Sequence, residues 1–548
     1  MGNALSGRSE VRQRSFAWRE EISKRVEARA SKLSLSGRYH RFPKTLEADY
    51  KCSEHVLGTG ANGKVRLIHN RRTGGRYALK TLSLEACFAD VLRGLETEVD
   101  IFLSLDHPHI VSLVDVYETR SKLHLVMECL EGGDLCERVI QLKRFSEDAA
   151  ADALYQMLLA VNYLHQHDMV HCDLKPENFL YDGPNSDHLK LADFGLSRIW
   201  DSSCDSLAKF SGTLEYTAPE VIGRNYTNQC DVWSLGVITF VLLTGDLPFA
   251  GPRMQLYEDI PAGKFHMPPA LWDGISAEAQ DFVFCLLQVD PNVRLTAVGA
   301  LNHTWMDRTP TPTKLSARVA VDLGRYAQGS SFRRKCWSMM TWSLQSQSCT
   351  ELRDIFLQMD KSKSGVVTYE EFTDALSGVN ITGTDIFKMF HALDSNADGI
   401  IEYSEFVAAL AAPELSGSEE IISDAFGRFD TAGTGFLTVD SLGEVLGARD
   451  AEEVKTFVAE ADVHGDGMVG FDTFLGYMKQ DAGRTAVSTS DRQHPRLEQC
   501  AKGLRRRLFI ARRKKVHNVS CKNMGWQNMS QMTLQRLRRM PIKMQATY

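Results

Sequence analysis

Apolar and polar positions alternate from about Tyr50, first in HVLGTGANGKVRLI and then in GRYALKTL, a period that predicts paired strands broken by glycines. From Glu147 the period lengthens: AAADALYQMLLAVNYLH has helical spacing, and helical patterning continues to about Met306. Residues 50–306 are therefore expected to form a small strand-rich lobe followed by a larger helical one. Residues 1–49 are polar and basic, with a helix expected through REEISKRVEARASKL. Residues 307–350 form a junction, rich in Pro and Thr at first and then basic and aromatic. Helix–loop–helix units repeat over 351–480, where Asp360, Asp394, Asp430 and Asp462 recur every 32–36 residues. Residues 481–548 are basic and expected to be poorly ordered. The fold class that follows is multidomain α+β.

Charge sharpens these divisions. The net charge of −7 hides eleven Lys/Arg against six acids over residues 1–49, and sixteen against two over 483–548. An acidic body between basic ends suggests separate tasks for the ends. The twelve cysteines form no CxxC pair, which fits scattered thiols in a reducing compartment. The N-terminus has no apolar signal region, and the longest apolar run, LGVITFVLLTG from Leu235, is too short to span a bilayer. A cytoplasmic protein, at most peripherally attached to membrane, is expected.

Gly58, Gly60 and Gly63 in GTGANGKV form a G-x-G-x-x-G-x-V loop between two strand-like runs, where backbone N–H groups can approach phosphates unobstructed. A dinucleotide fold would need a helix directly afterwards, and KVRLIHN reads as strand. Further positions follow in order: Lys80 ending YALK, Glu98 in a helical stretch, Asp173 and Asn178 in HCDLKPEN, Asp193 opening DFG, and Ala218-Pro219-Glu220. Over residues 50–306 this series resembles the eukaryotic protein kinases, which implies a bilobal kinase fold using ATP and Mg²⁺.

The resemblance implies roles. Asp173 would orient the substrate hydroxyl and accept its proton, Asn178 and Asp193 would hold Mg²⁺, and Lys80 locked by Glu98 would fix the phosphates. Val65 and Ala78 would line the nucleotide bed, with Met127 as gatekeeper and Glu128 and Cys129 as the adenine hinge. Lys175 with Thr213 marks the Ser/Thr-specific branch, and Asp134 and Glu177 match positions that select substrates with nearby basic residues. Cys172 departs from the pattern, because relatives carry an arginine there that pairs with an activation-loop phosphate. A neutral thiol cannot make that charge-assisted fork. Phosphate on Ser197, Ser202, Ser203, Ser206, Ser211 or Thr213 would lack its anchor, so the switch is expected elsewhere.

The acidic repeat supplies a candidate. A calcium loop needs oxygens at positions 1, 3, 5, 7 and 9, glycine at 6 and a bidentate Glu at 12. DKSKSGVVTYEE offers Asp360, Ser362, Ser364, Val366 (its carbonyl), Thr368 and Glu371, with Gly365 at the turn. DSNADGIIEYSE offers Asp394, Asn396, Asp398, Ile400 (its carbonyl), Glu402 and Glu405, with Gly399 at the turn. Val367 and Ile401 are expected to pair the two loops through short strands. The third and fourth loops are damaged: Ala432 and Ser441 replace ligands in one, His464 and Thr473 in the other. Two bound Ca²⁺ ions, both in the first pair, are expected.

In SSFRRKCWSMMTWSLQ, Trp337, Met340 and Leu344 fall on one helical face, behind Arg333, Arg334 and Lys335. A basic amphipathic helix with aromatic anchors is what an opened calcium lobe grips. Over residues 50–480 the chain resembles the calcium-dependent protein kinases of plants and apicomplexan parasites, in which a kinase precedes an all-α, calmodulin-like EF-hand domain. The resemblance implies a calcium-activated Ser/Thr kinase, autoinhibited by its junction until calcium binds. A calcium-sensing membrane adaptor with a weak or inactive kinase fold is the alternative. MGNALS matches an N-myristoylation pattern at Gly2, and the basic residues from Arg8 to Lys44 could supply a second membrane signal. A monomer is expected, and nucleic-acid binding is not, because the basic tail has little aromatic interleaving.

Overall fold

A computed structural model of the chain describes residues 37–40, 44–60, 63–84, 99, 102–103, 105–193, 198–199, 213–223, 226–265, 268–307, 315–344, 346–379, 381–446 and 451–480. The helix expected within residues 1–36 and the basic tail lie outside them. The small lobe is a six-stranded sheet of β1 (Tyr39–His40), β2 (Tyr50–Gly60), β3 (Gly63–Asn70), β4 (Arg76–Ser83), β5 (Leu113–Glu118) and β6 (Lys122–Glu128). Its order is β1-β5-β6-β4-β3-β2, antiparallel except for β1 against β5. The sheet therefore starts eleven residues before the boundary expected at Tyr50.

Strand alternation explains what each face does. On β4, Ala78 and Leu82 enter the main core with Lys80 between them, whereas Tyr77 and Leu79 belong to a separate cluster on the opposite face. That outer cluster also holds Leu46, Tyr50, Ile68 and Tyr117, and it is covered by Trp342 from the junction.

In the large lobe, Asp134 caps α1 (Leu135–Leu142) and Ser146 caps α2 (Glu147–Gln166). The long apolar run becomes α3 (Gln229–Thr244), which is buried along nearly its whole length and stops at Gly245 in the left-handed region. It is a core helix. Short strands β7 (Met169–Val170), β8 (Phe179–Tyr181) and β9 (Leu189–Leu191) frame the loop between α2 and α3, and α4 (Ala277–Leu286) packs on α3.

A second core begins in the junction with α5 (Ala317–Gln328) and α6 (Ser331–Met340). It continues through α7 (Thr350–Met359), α8 (Tyr369–Leu376), α9 (Gly383–Leu393) and α10 (Tyr403–Leu415) of the first calcium lobe. The second lobe comprises α11 (Glu419–Phe429), α12 (Val439–Leu446), α13 (Ala451–Ala461) and α14 (Phe471–Lys479). As expected, Val367 pairs with Ile401; the damaged loops pair in the same way, Leu437 with Val469.

The junction helix differs from expectation in two respects. It ends at Met340 in a 3₁₀ turn, so Leu344 lies beyond it. Its main anchor is Phe332, which sits 5.5 Å from Phe457, 5.7 Å from Tyr477 and 6.2 Å from Phe429 in the second lobe. Met340 is fully buried and Trp337 nearly so, with the indole N–H donating to Ser416 Oγ at 2.8 Å.

Candidate functional site

The glycine loop closes the β2–β3 hairpin, with Gly58 opposite Val65 and Gly60 opposite Gly63. A Cβ on Gly58 would meet nothing within 4 Å, which leaves open space on the side where phosphates would lie. Lys80 is nearly buried and neighbours Val65 across the sheet, and its Nζ lies 3.1 Å from Asp193 Oδ1. Glu98 lies outside the described residues. Ala78 pairs with Met127 at the rear of the cleft. The Glu128 side chain turns away from the nucleotide side: its Oε1 accepts from Ser112 N and from Lys190 Nζ, each at 2.7 Å. Only its backbone remains to meet an adenine. Cys129 is buried, and burial pushes its thiol up to about 11.

The catalytic loop is held from below. Asp231, buried in the first turn of α3, accepts from His171 N and from Cys172 N, both at 2.9 Å. Cys172 takes a left-handed φ of 68°, and the chain turns there to present Asp173. Asp173 Oδ2 accepts from Lys175 Nζ at 2.7 Å, and Oδ1 accepts from Thr213 N at 3.1 Å and Thr213 Oγ1 at 3.4 Å. Asn178 Nδ2 donates to the Asp173 carbonyl at 2.8 Å. The segment carrying Thr213 is tied down by Glu220, which makes a two-pronged pair with buried Arg294 at 2.6 and 3.0 Å. Thr213 is thus engaged with the base rather than free as a phosphorylation site. The serines proposed beside it lie outside the described residues.

Asp134 has a structural duty, since its carboxylate accepts from Glu137 N at 2.8 Å. Glu177 is different. Burial pushes its carboxyl up, and its Oε2 is buried without a hydrogen-bond partner. Burial likewise raises Asp134, and the Asp134 charge adds to the rise at Glu177. Both acids are desolvated, and a buried carboxylate is costly unless it is paired or protonated.

Both complete calcium loops have the curled backbone that ligation needs. Asp360 accepts from Ser364 N at 2.9 Å and Gly365 N at 2.7 Å, while Glu371 reaches back to Ser362 N and Thr368 N, both at 2.9 Å. In the second loop Asp394 accepts from Asp398 N and Gly399 N, and Glu405 reaches Ser395 N and Glu402 N. Glu405 is fully buried, and that burial pushes it up to about 8. A carboxylate so placed suits a site completed by a cation, so the donor set fits Ca²⁺. In the third loop Asp430 makes the same backbone contacts, but Ser441 at position 12 only bonds back to Thr438.

The calcium lobes dock on the kinase through contacts that the sequence reading did not name. The Lys363 carbonyl, inside the first loop, accepts from Asn162 Nδ2 at 2.7 Å, and Lys363 Nζ donates to the Leu301 carbonyl at 2.7 Å. A Cβ on Gly365 would come within 2.6 Å of Tyr163 and 2.7 Å of His107, so loop and kinase are in close contact. Ser404 N, beside Glu405, donates to Asp106 Oδ2 at 2.9 Å. From the second lobe, Arg428 makes a two-pronged, buried pair with Asp115 of β5, and Asp424 accepts from Asn70 Nδ2 at 2.9 Å. The guanidinium holds Asp115 well below the usual carboxylate range against the cost of burial, and His40 adds a further hydrogen bond.

Two residues assigned to membrane attraction belong to this joint instead. Arg38 donates to the Leu113 carbonyl and stacks 5.1 Å from the Trp342 ring; Lys44 Nζ donates to the Gly427 carbonyl at 3.1 Å. Burial lowers the pKa of both. Gly2 and the other basic residues of the extension lie outside the described residues.

Asp281, Cys285 and His303 converge on the large lobe with metal-like spacing. His303 Nδ1 accepts from Trp305 N, which leaves the proton on Nε2 facing Asp281 at 3.2 Å. That tautomer makes it a capping histidine rather than a ligand.

Comparisons with known proteins agree with this geometry. The protein kinase domain model matches residues 52–306, and the EF-hand domain pair model matches residues 349–411. Calcium-dependent protein kinase 17 of Arabidopsis thaliana is 31% identical over 446 residues, covering 79% of this chain and 84% of that protein. Calcium-dependent protein kinase 15 of Oryza sativa subsp. japonica is 33% identical, covering 78% and 80%. Calcium-dependent protein kinase 12 of Arabidopsis thaliana is 32% identical, covering 80% and 91%.

Proposed function

The chain belongs to the calcium-dependent protein kinase family, and from that membership we propose how its parts share the work of a calcium-activated Ser/Thr kinase. ATP supplies the transferred phosphoryl group, and Mg²⁺ offsets its charge. Asp173 orients the acceptor hydroxyl and takes its proton, steadied by Lys175 and Thr213. Asn178 and Asp193 hold the metal, Lys80 fixes the phosphates, and Gly58, Gly60, Gly63, Val65, Ala78 and the 127–129 hinge form the nucleotide bed. Glu177, with its buried unpartnered oxygen, and Asp134 receive a basic side chain of the protein substrate.

Calcium control acts through the docking surface. Glu371 and Glu405 would close the two complete loops around Ca²⁺, beside the contacts that the Lys363 carbonyl makes with Asn162, Gly365 with Tyr163 and Ser404 with Asp106. The observation that carries this reading is the Asn162 amide bonded to a carbonyl within the first loop. A ligand shifts such an equilibrium only by its differential affinity for the two states, and loops ordered against the kinase supply that difference. Family membership weighs against the adaptor alternative. Myristate on Gly2 with the remaining basic residues of the extension attaches this monomer to membrane, which vesicle co-sedimentation with Gly2→Ala tests. No described helix is long and apolar enough to cross a bilayer.

The test is phosphate transfer to an Arg-containing Ser/Thr peptide, with Ca²⁺ and with EGTA, beside Asp173→Asn. Activity only with calcium supports the reading. Equal activity in EGTA removes the switch, and none in either condition removes the kinase.

A further inference from the structure

Cys172 and Cys230 lie beside the catalytic base, on two segments that touch. The first turn of α3 that holds the catalytic loop through Asp231 also carries Cys230, one residue earlier. Cys172 N lies 2.9 Å from Asp231 Oδ1, so the two cysteines belong to segments in direct contact, and both thiols are free. Both line a small pocket of about 10 Å³ with Asp173, Thr213 and Tyr216. Cys172 is partly exposed and Cys230 is buried.

We propose that Cys172 and Cys230 form an oxidative modification site, in which hydrogen peroxide converts the pair to a disulfide that switches the kinase off. Exposure makes Cys172 the thiol that meets the oxidant. Its sulfur attacks the peroxide, the O–O bond breaks, and Cys172 sulfenic acid and one water form. The Cys230 sulfur then attacks the Cys172 sulfur and displaces a second water, with its proton leaving on that water. Two thiols lose two electrons in total, and one peroxide becomes two waters. The division of roles agrees with the Cys230 thiol, which the neighbouring Cys172 sulfur and burial push well above its ordinary value.

The consequence falls on the base. Cys172 holds the left-handed turn that presents Asp173, and a covalent bond to α3 draws its side chain down. Asp173 then leaves Lys175 and Thr213. A displacement of roughly 1 Å in a reacting group costs on the order of 100-fold in rate, and that is the loss expected.

The experiment uses the full chain with calcium, treated with hydrogen peroxide and then with dithiothreitol. Activity is read at each stage, and a non-reducing digest maps the cross-link. The proposal expects a 172–230 cross-linked peptide, loss of activity and recovery on reduction. Cys172→Ala should keep its activity in peroxide. Cys230→Ala should likewise keep its activity at peroxide levels that inactivate the wild type, because no cross-link to α3 can form. Should a variant fail to fold, the wild-type digest decides. Cys172 still alkylatable after peroxide, or a cross-link with activity unchanged, would overturn the proposal.

Discussion

The two calcium lobes share a fold and differ in what closes each loop. In the first, Glu371 and Glu405 reach back across their loops to backbone N–H groups; in the second, Ser441 is the equivalent residue of the third loop and bonds only locally. Asp430 and Asp462 nevertheless organise their loops as Asp360 and Asp394 do, through N–H groups at the glycine turn. Loop architecture therefore survives without the ligand that gives affinity. What the second lobe keeps instead is mechanical: an aromatic cage for Phe332, and on α11 a face of Asp424, Gly427 and Arg428 against the small lobe. Both lobes dock on the kinase, but the first keeps the closing carboxylates and the second the aromatic grip on the junction.

The largest effect should come from removing the sensor. Glu371→Gln with Glu405→Gln should abolish calcium activation, read in a peptide kinase assay over a range of calcium that saturates the wild type. Retained calcium activation would erase the distinction between lobes. Arg428→Ala should follow: it strands buried Asp115, a change that costs about 3–5 kcal/mol. Maximal activity should fall while the number of bound ions stays the same, as calorimetry beside the kinase assay would show. Phe332→Ala empties the cage at a comparable cost of about 3–5 kcal/mol, and should lower the melting temperature of the calcium-bound form.

Gly427→Ala separates docking from helix stability. Alanine in a helix interior ordinarily gains roughly 0.5–1 kcal/mol, but here its Cβ would lie 2.0 Å from the Arg72 guanidinium. Because those atoms are the far end of a partly exposed Arg72 side chain that can swing away, helicity should hold by circular dichroism and calcium-stimulated activity should drop by much less than in Arg428→Ala. The smallest effect is on pH. Burial, with His167 and other cationic neighbours, pushes His107 down to about 3. A histidine depressed in the folded state contributes stability that is whole above about 6.5 and lost as pH falls, at up to about 1.4 kcal/mol per unit. Thermal melts from pH 7 to 5 should show that slope, flattened in His107→Gln.

The chemistry was largely legible in the sequence because its residues come in local, ordered strings. GTGANGKV, HCDLKPEN and the two complete calcium loops each fix spacing within a dozen residues, and the structure brings Lys80, Asp173, Asn178 and Asp193 to one cleft as expected. The docking surface was not legible. Arg428 and Asp115 stand 313 residues apart, and nothing in either local string separates a buried partner from a solvated charge. Arg38 and Lys44 read as part of a basic extension for the same reason. The junction helix was recognised by its basic and aromatic spacing, yet Phe332 was passed over because an aromatic at a helix start carries no signature until its cage exists. Trp342 likewise covers the small-lobe sheet, a role set by the lobe's position rather than by its own neighbours.

Calcium titration calorimetry of the full chain tests the division between lobes most directly, run beside an Asp430→Ala, Asp462→Ala variant. The account expects two ions per chain, bound alike by both proteins. Four ions, or loss of binding in the variant, would contradict it.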